Sequence, residues 1–396
     1  MLFWILLVHL VRQSGLNQGH PDLVSRAQTD VSCDCTINTC RTLFDIVWGC
    51  LVTIFACTWV ALHQNVPDPQ LGWHALLLRK LQMMAVMILA PEAIVAFACR
   101  QLISALWISK EFTISKTHGF FCTMGGFVMP EGHPVADARQ FPAYISAIRD
   151  VNEADIMDHS KGDALAKSVA FGQALWFMTQ CLIRITHSLP ITQLEVATLA
   201  FAILSAFIRL LWWWKPLDVQ RPIMVARSNA EFDPLQAENP TTTTYKADLL
   251  DNFFGLLTGG YVKYSPVSST SVPSFYSTEV VSSDFPTLAA LFFTGTIFGG
   301  IHCVAWRTLF PSAAEMWIWR MGSLVITGYP VLALLLGLGV EILRVREDIL
   351  VAFFFFGLVV YLICRTILVV LSFTTLRALP PSIFVDVDWN KYFPHL

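Results

Sequence analysis

Two sets of residues have types and spacing that could do chemistry. The first is a scatter of ionisable groups inside otherwise apolar stretches. Glu92 follows Pro91 about eleven residues into one such stretch, and Arg100 lies eight residues on, two turns along the same helix face. Arg184 and Arg209 sit near the ends of two more stretches, His302 near the end of another, and Arg365 well inside the last. A charge at the centre of a bilayer costs about 3 kcal/mol on insertion scales, so Glu92 needs a partner inside the protein, and Arg365 fits the part. Together they would make a polar cavity in which Glu92 serves as acid, base or ion ligand, with Arg365 and His302 as the other catalytic candidates. The second set is the acidic run Asp150, Glu153, Asp155, Asp158 and Asp163. Asp155 and Asp158 share a helix face, and with Asp163 they could hold Mg²⁺ against a diphosphate. A solvated helix start explains the same residues, and His159 and Lys161 interrupt the run.

The elements that position these groups follow from composition. Of 396 residues, 55% are hydrophobic and only 14% charged, against about 25% charged in an average soluble domain. Mean hydropathy is +0.57. With a net charge of −3, the chain lacks the basic footprint of a nucleic-acid binder. The implied fold is all-α, a polytopic transmembrane bundle of about seven spans with two polar loop insertions. A span needs roughly 20 apolar residues, and seven segments supply them: 43–62, 81–107, 165–187, 192–214, 285–306, 313–343 and 349–376. Helix is the state in which each span satisfies its own backbone. The bilayer is therefore the first partner, in an endomembrane or the plasma membrane, with a lipophilic small molecule or an ion as the second.

The chain divides accordingly. Residues 1–40 form an N-terminal tail, whose first 14 residues read as a candidate signal segment. Residues 41–214 hold spans one to four with a polar insertion at 108–164. Residues 215–284 form a polar loop, 285–379 hold spans five to seven, and 380–396 close the chain. The Gly-Phe-rich stretch Lys116–Phe127 reads as an interfacial or re-entrant piece, and neither insertion contains enough periodic apolar residues for an independent domain. Gly295 and Gly299 make a G-x-x-x-G suited to close helix packing. Thr192 and Glu195 form a capping box that opens the fourth span.

Orientation is pulled both ways. With seven crossings, the N-terminal tail shares a face with both insertions, and so with Lys110, Lys116, Lys161, Lys215, Arg221, Arg227, Arg344 and Arg346. The positive-inside rule sends that face to the cytoplasm. Cys33, Cys35 and Cys40, read as disulfide-forming, ask for the opposite.

Several stretches are distinctive: Arg41-Thr42-Leu43-Phe44-Asp45-Ile46-Val47-Trp48-Gly49-Cys50, Ala90-Pro91-Glu92, Lys116-Thr117-His118-Gly119-Phe120, Ser160-Lys161-Gly162-Asp163 and Trp213-Trp214-Lys215-Pro216-Leu217-Asp218-Val219. In these the chain resembles a group of uncharacterised fungal multi-pass membrane proteins, from Arg41 almost to its end. The resemblance implies that Glu92, Lys161, Asp163 and Lys215–Asp218 belong to group-wide motifs, and it supplies no activity. The residues alone leave three readings: a transport or channel component with its polar site at Glu92, a membrane-embedded biosynthetic enzyme such as a terpenoid cyclase, and a receptor-like bundle.

Overall fold

The structure, a computed structural model, describes residues 40–160, 164–227, 255, 261, 264–278, 285–343 and 347–387. The N-terminal tail with its candidate signal segment lies outside the described residues. Helices dominate: α1 Leu43–Ala61, α2 Trp73–Leu89, α3 Pro91–Glu111, α4 Lys116–Thr123, α5 Phe141–Asp150, α6 Glu153–Asp158, α7 Ala164–Thr186, α8 Gln193–Leu211, α9 Phe285–His302, α10 Ala313–Leu343 and α11 Glu347–Thr374. Two short strands, β1 Phe127–Val128 and β2 Ile223–Met224, pair in parallel with Phe127 opposite Ile223.

Among the described residues six stretches are long and apolar enough to cross a membrane: Leu43–Ala61, Pro91–Glu111, Gln193–Leu211, Phe285–Arg307, Ala313–Gly337 and Ala352–Ala378. The chain is thus an all-helical, polytopic membrane protein. Its outward faces are apolar, with Phe355 67% and Phe356 70% exposed, as lipid contact requires. The count differs from the seven expected from sequence. Helix α7, the expected third span, carries Lys167, Gln173, Gln180 and Arg184 and falls short of that apolarity.

The expected second span, 81–107, is two helices. Ala90 (φ −147°, ψ 66°) breaks the run, and Pro91 opens α3 at a position where its missing N–H costs nothing. The chain reverses here. Residues on both limbs, ten or so positions either side of the break, reach the same layer. Arg79 Nε donates to Ser274 Oγ at 3.0 Å and Lys80 Nζ to Asp218 Oδ2 at 2.7 Å on one limb. On the other, Gln101 Nε2 donates to the Tyr276 carbonyl at 3.1 Å, and Phe97 packs edge-on against Phe275 at 5.6 Å. At 1.5 Å per residue the tip of this hairpin lies about 15 Å below that layer.

Glycine sets two close helix contacts. A Cβ at Gly299 on α9 would stand 2.6 Å from the Thr327 backbone nitrogen of α10, and one at Gly295 would stand 3.1 Å from Pro330 Cγ. The G-x-x-x-G of α9 therefore lies against α10. A Cβ at Gly119 would collide with the Ala105 carbonyl oxygen of α3. Helix α4 is capped by Ser115, whose hydroxyl accepts from His118 N at 3.3 Å, and lies flat on α3. That corrects the interfacial reading of the Gly-Phe stretch: Phe120, Phe121 and Phe127 are fully buried against protein. The first insertion supplies most of a second apolar cluster, with Phe121, Met124, Phe127, Val135, Phe141 and Ile148 at its centre and Val66 beside them. The β1–β2 pairing draws Val219 and Val225 of the second insertion into it, which neither insertion's sequence reveals alone. The short helix expected over Asp248–Val262 lies largely outside the described residues.

Replacing Gly119 with Val forces α4 off α3. We expect a loss of about 1–3 kcal/mol, read as a lower thermal midpoint in detergent, whereas Gly132→Val, at an open turn (φ +89°), shows only the smaller cost of an unfavourable backbone. Equal midpoints for Gly119→Val and wild type would refute this packing.

Candidate functional site

The hairpin tip brings Glu92 to Arg365. Glu92 lies in the first turn of α3 and is 6% exposed; Arg365, near the middle of the last span, is 3% exposed. Glu92 Oε2 and Arg365 Nη2 are 3.7 Å apart, close enough for an ion pair and too far for a hydrogen bond. Arg365 Nε donates to the Leu89 carbonyl at 3.2 Å. That carbonyl is one the helix break frees, so the guanidinium also terminates α2. Its plane lies over the Phe298 ring, with Cζ 3.7 Å from the centroid. Gly295 and Pro330 close the site from α9 and α10, the Glu92 Cγ lying 3.7 Å from where a Gly295 Cβ would be.

The pair is incompletely satisfied. Glu92 Oε2 and both Arg365 Nη atoms are buried without a hydrogen-bond partner of good geometry, and the Tyr361 hydroxyl lies beside both charges. Groups of this kind in hydrocarbon call for a water, a proton or an ion. His302 is buried nearby but set apart by the Phe298 ring, 4.7 Å from its own. Its Nδ1 donates to the Phe298 carbonyl at 2.8 Å, and its own carbonyl accepts from Trp319 Nε1 at 3.2 Å.

The remaining charges have structural partners. Arg184 fans out to the Pro190, Ile383 and Val385 carbonyls at 2.8–3.3 Å. Glu195 completes its capping box and also pairs with Arg41, which lies just before the first span. A cavity of about 330 Å³ opens beside them, lined by Arg41, Asp45, Gln173, Trp176, Arg184 and Glu195 among others. Arg41, Arg184 and Glu195 are committed to the bonds above, and Asp45 to its cap on Thr42. Arg209 remains half-buried with Nε and Nη2 unbonded, and Arg100 Nη2 donates to the Gly255 carbonyl at 3.2 Å.

Asp155 and Asp158 are exposed on α6, and Asp163 lies outside the described residues. Among the described residues no three His, Cys, Asp or Glu side chains come together as metal ligands. Glu153, from the same run, accepts from Thr117 Oγ1 at 2.5 Å and ties α6 to α4.

Sequence reasoning missed Lys215. It is 3% exposed, and its Nζ donates to the His63 carbonyl at 2.5 Å, Gln101 Oε1 at 2.8 Å and Asn65 Oδ1 at 3.3 Å. Trp212 Nε1 donates to the same Gln101 oxygen at 3.1 Å, and its ring lies 4.6 Å from Nζ. Three neutral oxygens thus meet three N–H bonds. Burial holds the Lys215 amine well below the ordinary lysine value, and the Arg79 guanidinium adds to that. The resemblance marks Lys215 as part of a motif without a role, and its place in Trp212–Lys215 suggests only a belt lysine that would snorkel outward.

The family of unknown function DUF8562 matches over residues 23–119 and 113–238, more than half of the chain. The chain belongs to this family. The DUF8562 match covers Glu92, the hairpin and Lys215, and ends before α9, α10 and α11, which supply Arg365 and the walls around it. No curated protein and no solved structure matches the chain.

His63, beside Lys215, gives a pH test. Burial pushes its imidazole from 6.5 down to about 3, with the Lys215 charge a lesser contribution in the same direction. Between those values the unfolded chain takes up a proton that the folded chain refuses, so stability falls with falling pH. The slope is at most about 1.4 kcal/mol per pH unit. Detergent-solubilised protein should lose stability from pH 6.5 downward, and His63→Gln should flatten that part of the profile. An unchanged slope would clear His63 of the effect.

Proposed function

We propose that this protein is a transport or channel component whose working centre is the Glu92–Arg365 pair at the hairpin tip. Glu92 is the ion- or proton-binding carboxylate, and Arg365 is the fixed counter-charge that holds the site neutral when empty. The reading is carried by one observation: a broken helix sets a carboxylate against a guanidinium at mid-depth, with polar atoms of both left unbonded. Irregular backbone at membrane depth is tolerated where protein buries it or where it lines an aqueous path. Discontinuous helices whose ends face a coupling ion are a recurrent feature of transporters. The pair lies among α3, α9, α10 and α11, so its occupancy is felt by four helices at once.

Proteoliposomes containing an entrapped pH dye, under an imposed potassium diffusion potential, test the reading. Wild-type protein should carry a flux above that of empty vesicles. Glu92→Gln should cut it by at least tenfold, and Glu92→Asp should keep part of it. Absence of flux in the wild type, or full flux in Glu92→Gln, would overturn the proposal. An accumulating lipophilic intermediate in a deletion strain, with no flux in vesicles, would instead make Glu92 the acid of an enzyme.

A further inference from the structure

The contacts sort the described chain into two faces. One, the loop face, holds residues 62–72, 112–160, 212–227 and 264–278. They are tied together by Asn65 to the Tyr276 carbonyl at 2.9 Å, Ser160 to the Leu217 carbonyl at 2.9 Å, the β1–β2 pair and the Lys215 bonds. The other holds residues 40–42, 187–192, 303–312 and 375–387. There Cys40 bridges to Val385, Arg41 N donates to the Phe384 carbonyl at 2.9 Å, and Gln193 Nε2 donates to Thr308 Oγ1 at 3.0 Å. Glu315 and Arg377 pair at 2.7 Å on the same face.

Following the chain between faces fixes the number of crossings. Helix α1 runs from the second face to the loop face. Both limbs of the α2–α3 hairpin are anchored at the loop face, so the hairpin dips in and returns without crossing. Ser160, shortly before helix α7, is at the loop face, and Arg184, near the end of α7, is bonded to Val385 at the other, so α7 crosses despite its polar residues. Helices α8, α9, α10 and α11 cross in turn. The total is even, and Cys40 lying beside Val385 is the closure that an even number requires.

We infer that the protein is a six-crossing bundle with one re-entrant hairpin, its loop face in the cytoplasm and its Cys40–Val385 face in an oxidising compartment. The hairpin removes the conflict that seven crossings create. Seven crossings put the cysteine-bearing tail on the same side as the basic loops; the hairpin puts them on opposite sides. The loop face carries Lys80, Lys110, Lys116, Arg139, Arg149, Lys215, Arg221 and Arg227. The other carries Arg41, Arg184, Arg307, Arg320 and Arg377. The bias toward the loop face directs it to the cytoplasm. Cys40, on the opposite face, is disulfide-bonded, its partner lying outside the described residues, while Cys122 on the loop face is a free thiol. Disulfides persist in secretory and extracellular compartments and not in the cytosol. Charge distribution and cysteine state now agree. The inference stands apart from the transport reading, since it uses no property of Glu92.

Three added cysteines at exposed positions test it: Gln70→Cys and Glu131→Cys at the loop face, and Ser382→Cys at the other. Each is expressed in the full chain, with the wild-type chain as the blank for native thiols. In sealed microsomes, whose cytoplasmic face is outward, a membrane-impermeant maleimide should modify Gln70→Cys and Glu131→Cys at once. Ser382→Cys should react only after detergent, and a thiol removed by Cys40→Ser should be detectable in the wild type only after reduction. Gln70→Cys and Glu131→Cys reacting from opposite sides would make 81–107 a true span and overturn the hairpin. Both protected while Ser382→Cys reacts would overturn the orientation, and a wild-type Cys40 thiol open without reductant would overturn the oxidising face.

Discussion

A backbone that turns round inside hydrocarbon must find partners for the groups the turn releases, and the rest of this bundle is arranged around that demand. At the end of α2 the Ala90 N–H still reaches the Val86 carbonyl at 2.7 Å, and the Ala90 carbonyl accepts from Ala93 N at 3.1 Å. Pro91 has no N–H to lose. The Leu89 carbonyl is among those the break releases, and Arg365 arrives from the last helix to take it. An arginine placed there needs a counter-charge, which Glu92 provides from the first turn of α3. The chemistry of the site and the tolerance of the turn are thus one arrangement: neither side chain can be removed without exposing what the other was there to answer.

The upper end of the hairpin is held differently. There Lys215, on the turn after α8, gathers oxygens from the segment after α1 and from α3, and Gln101 and Asn65 pass the connection to residues 273–276. The three acceptors of Lys215 are neutral oxygens, and on the other limb Lys80 pairs with the Asp218 carboxylate. The limbs are thus held at the loop face by several bonds at once, whereas the tip rests on a single charge pair. The contrast separates a fixed anchor from a site that can change state.

Much of this could be read from the residues. The cost of charge in hydrocarbon is enough to single out Glu92 and to nominate Arg365, although they are 273 positions apart. Thr192 and Glu195 announced a capping box, and Gly295 with Gly299 a close helix contact. The hairpin was not read, because residues 81–107 are mostly apolar over a full span length and hydropathy has no sign for direction. Ala90-Pro91 held the signal: the residue before proline avoids helical geometry, and proline favours the first position of a new helix. Lys215 was unreadable for another reason. Its acceptors come from residues 63, 65 and 101, and nothing near it in sequence says that they will meet. The buried packing of α4 was hidden in the same way, since Gly119 matters only for what Ala105 places above it.

The bridge between Cys40 and Val385 joins positions at the start of the first helix and after the last, and Arg184 adds two more carbonyls from that closing segment. A ribosome delivers the first helix long before the final one, so for most of synthesis the clasp has only one half. The early helices must wait in the bilayer with Glu92 and Arg184 uncompensated, and contacts of such long range are among the slowest to form. Truncation anywhere upstream of Arg365 would leave that waiting state permanent, a ready target for membrane quality control.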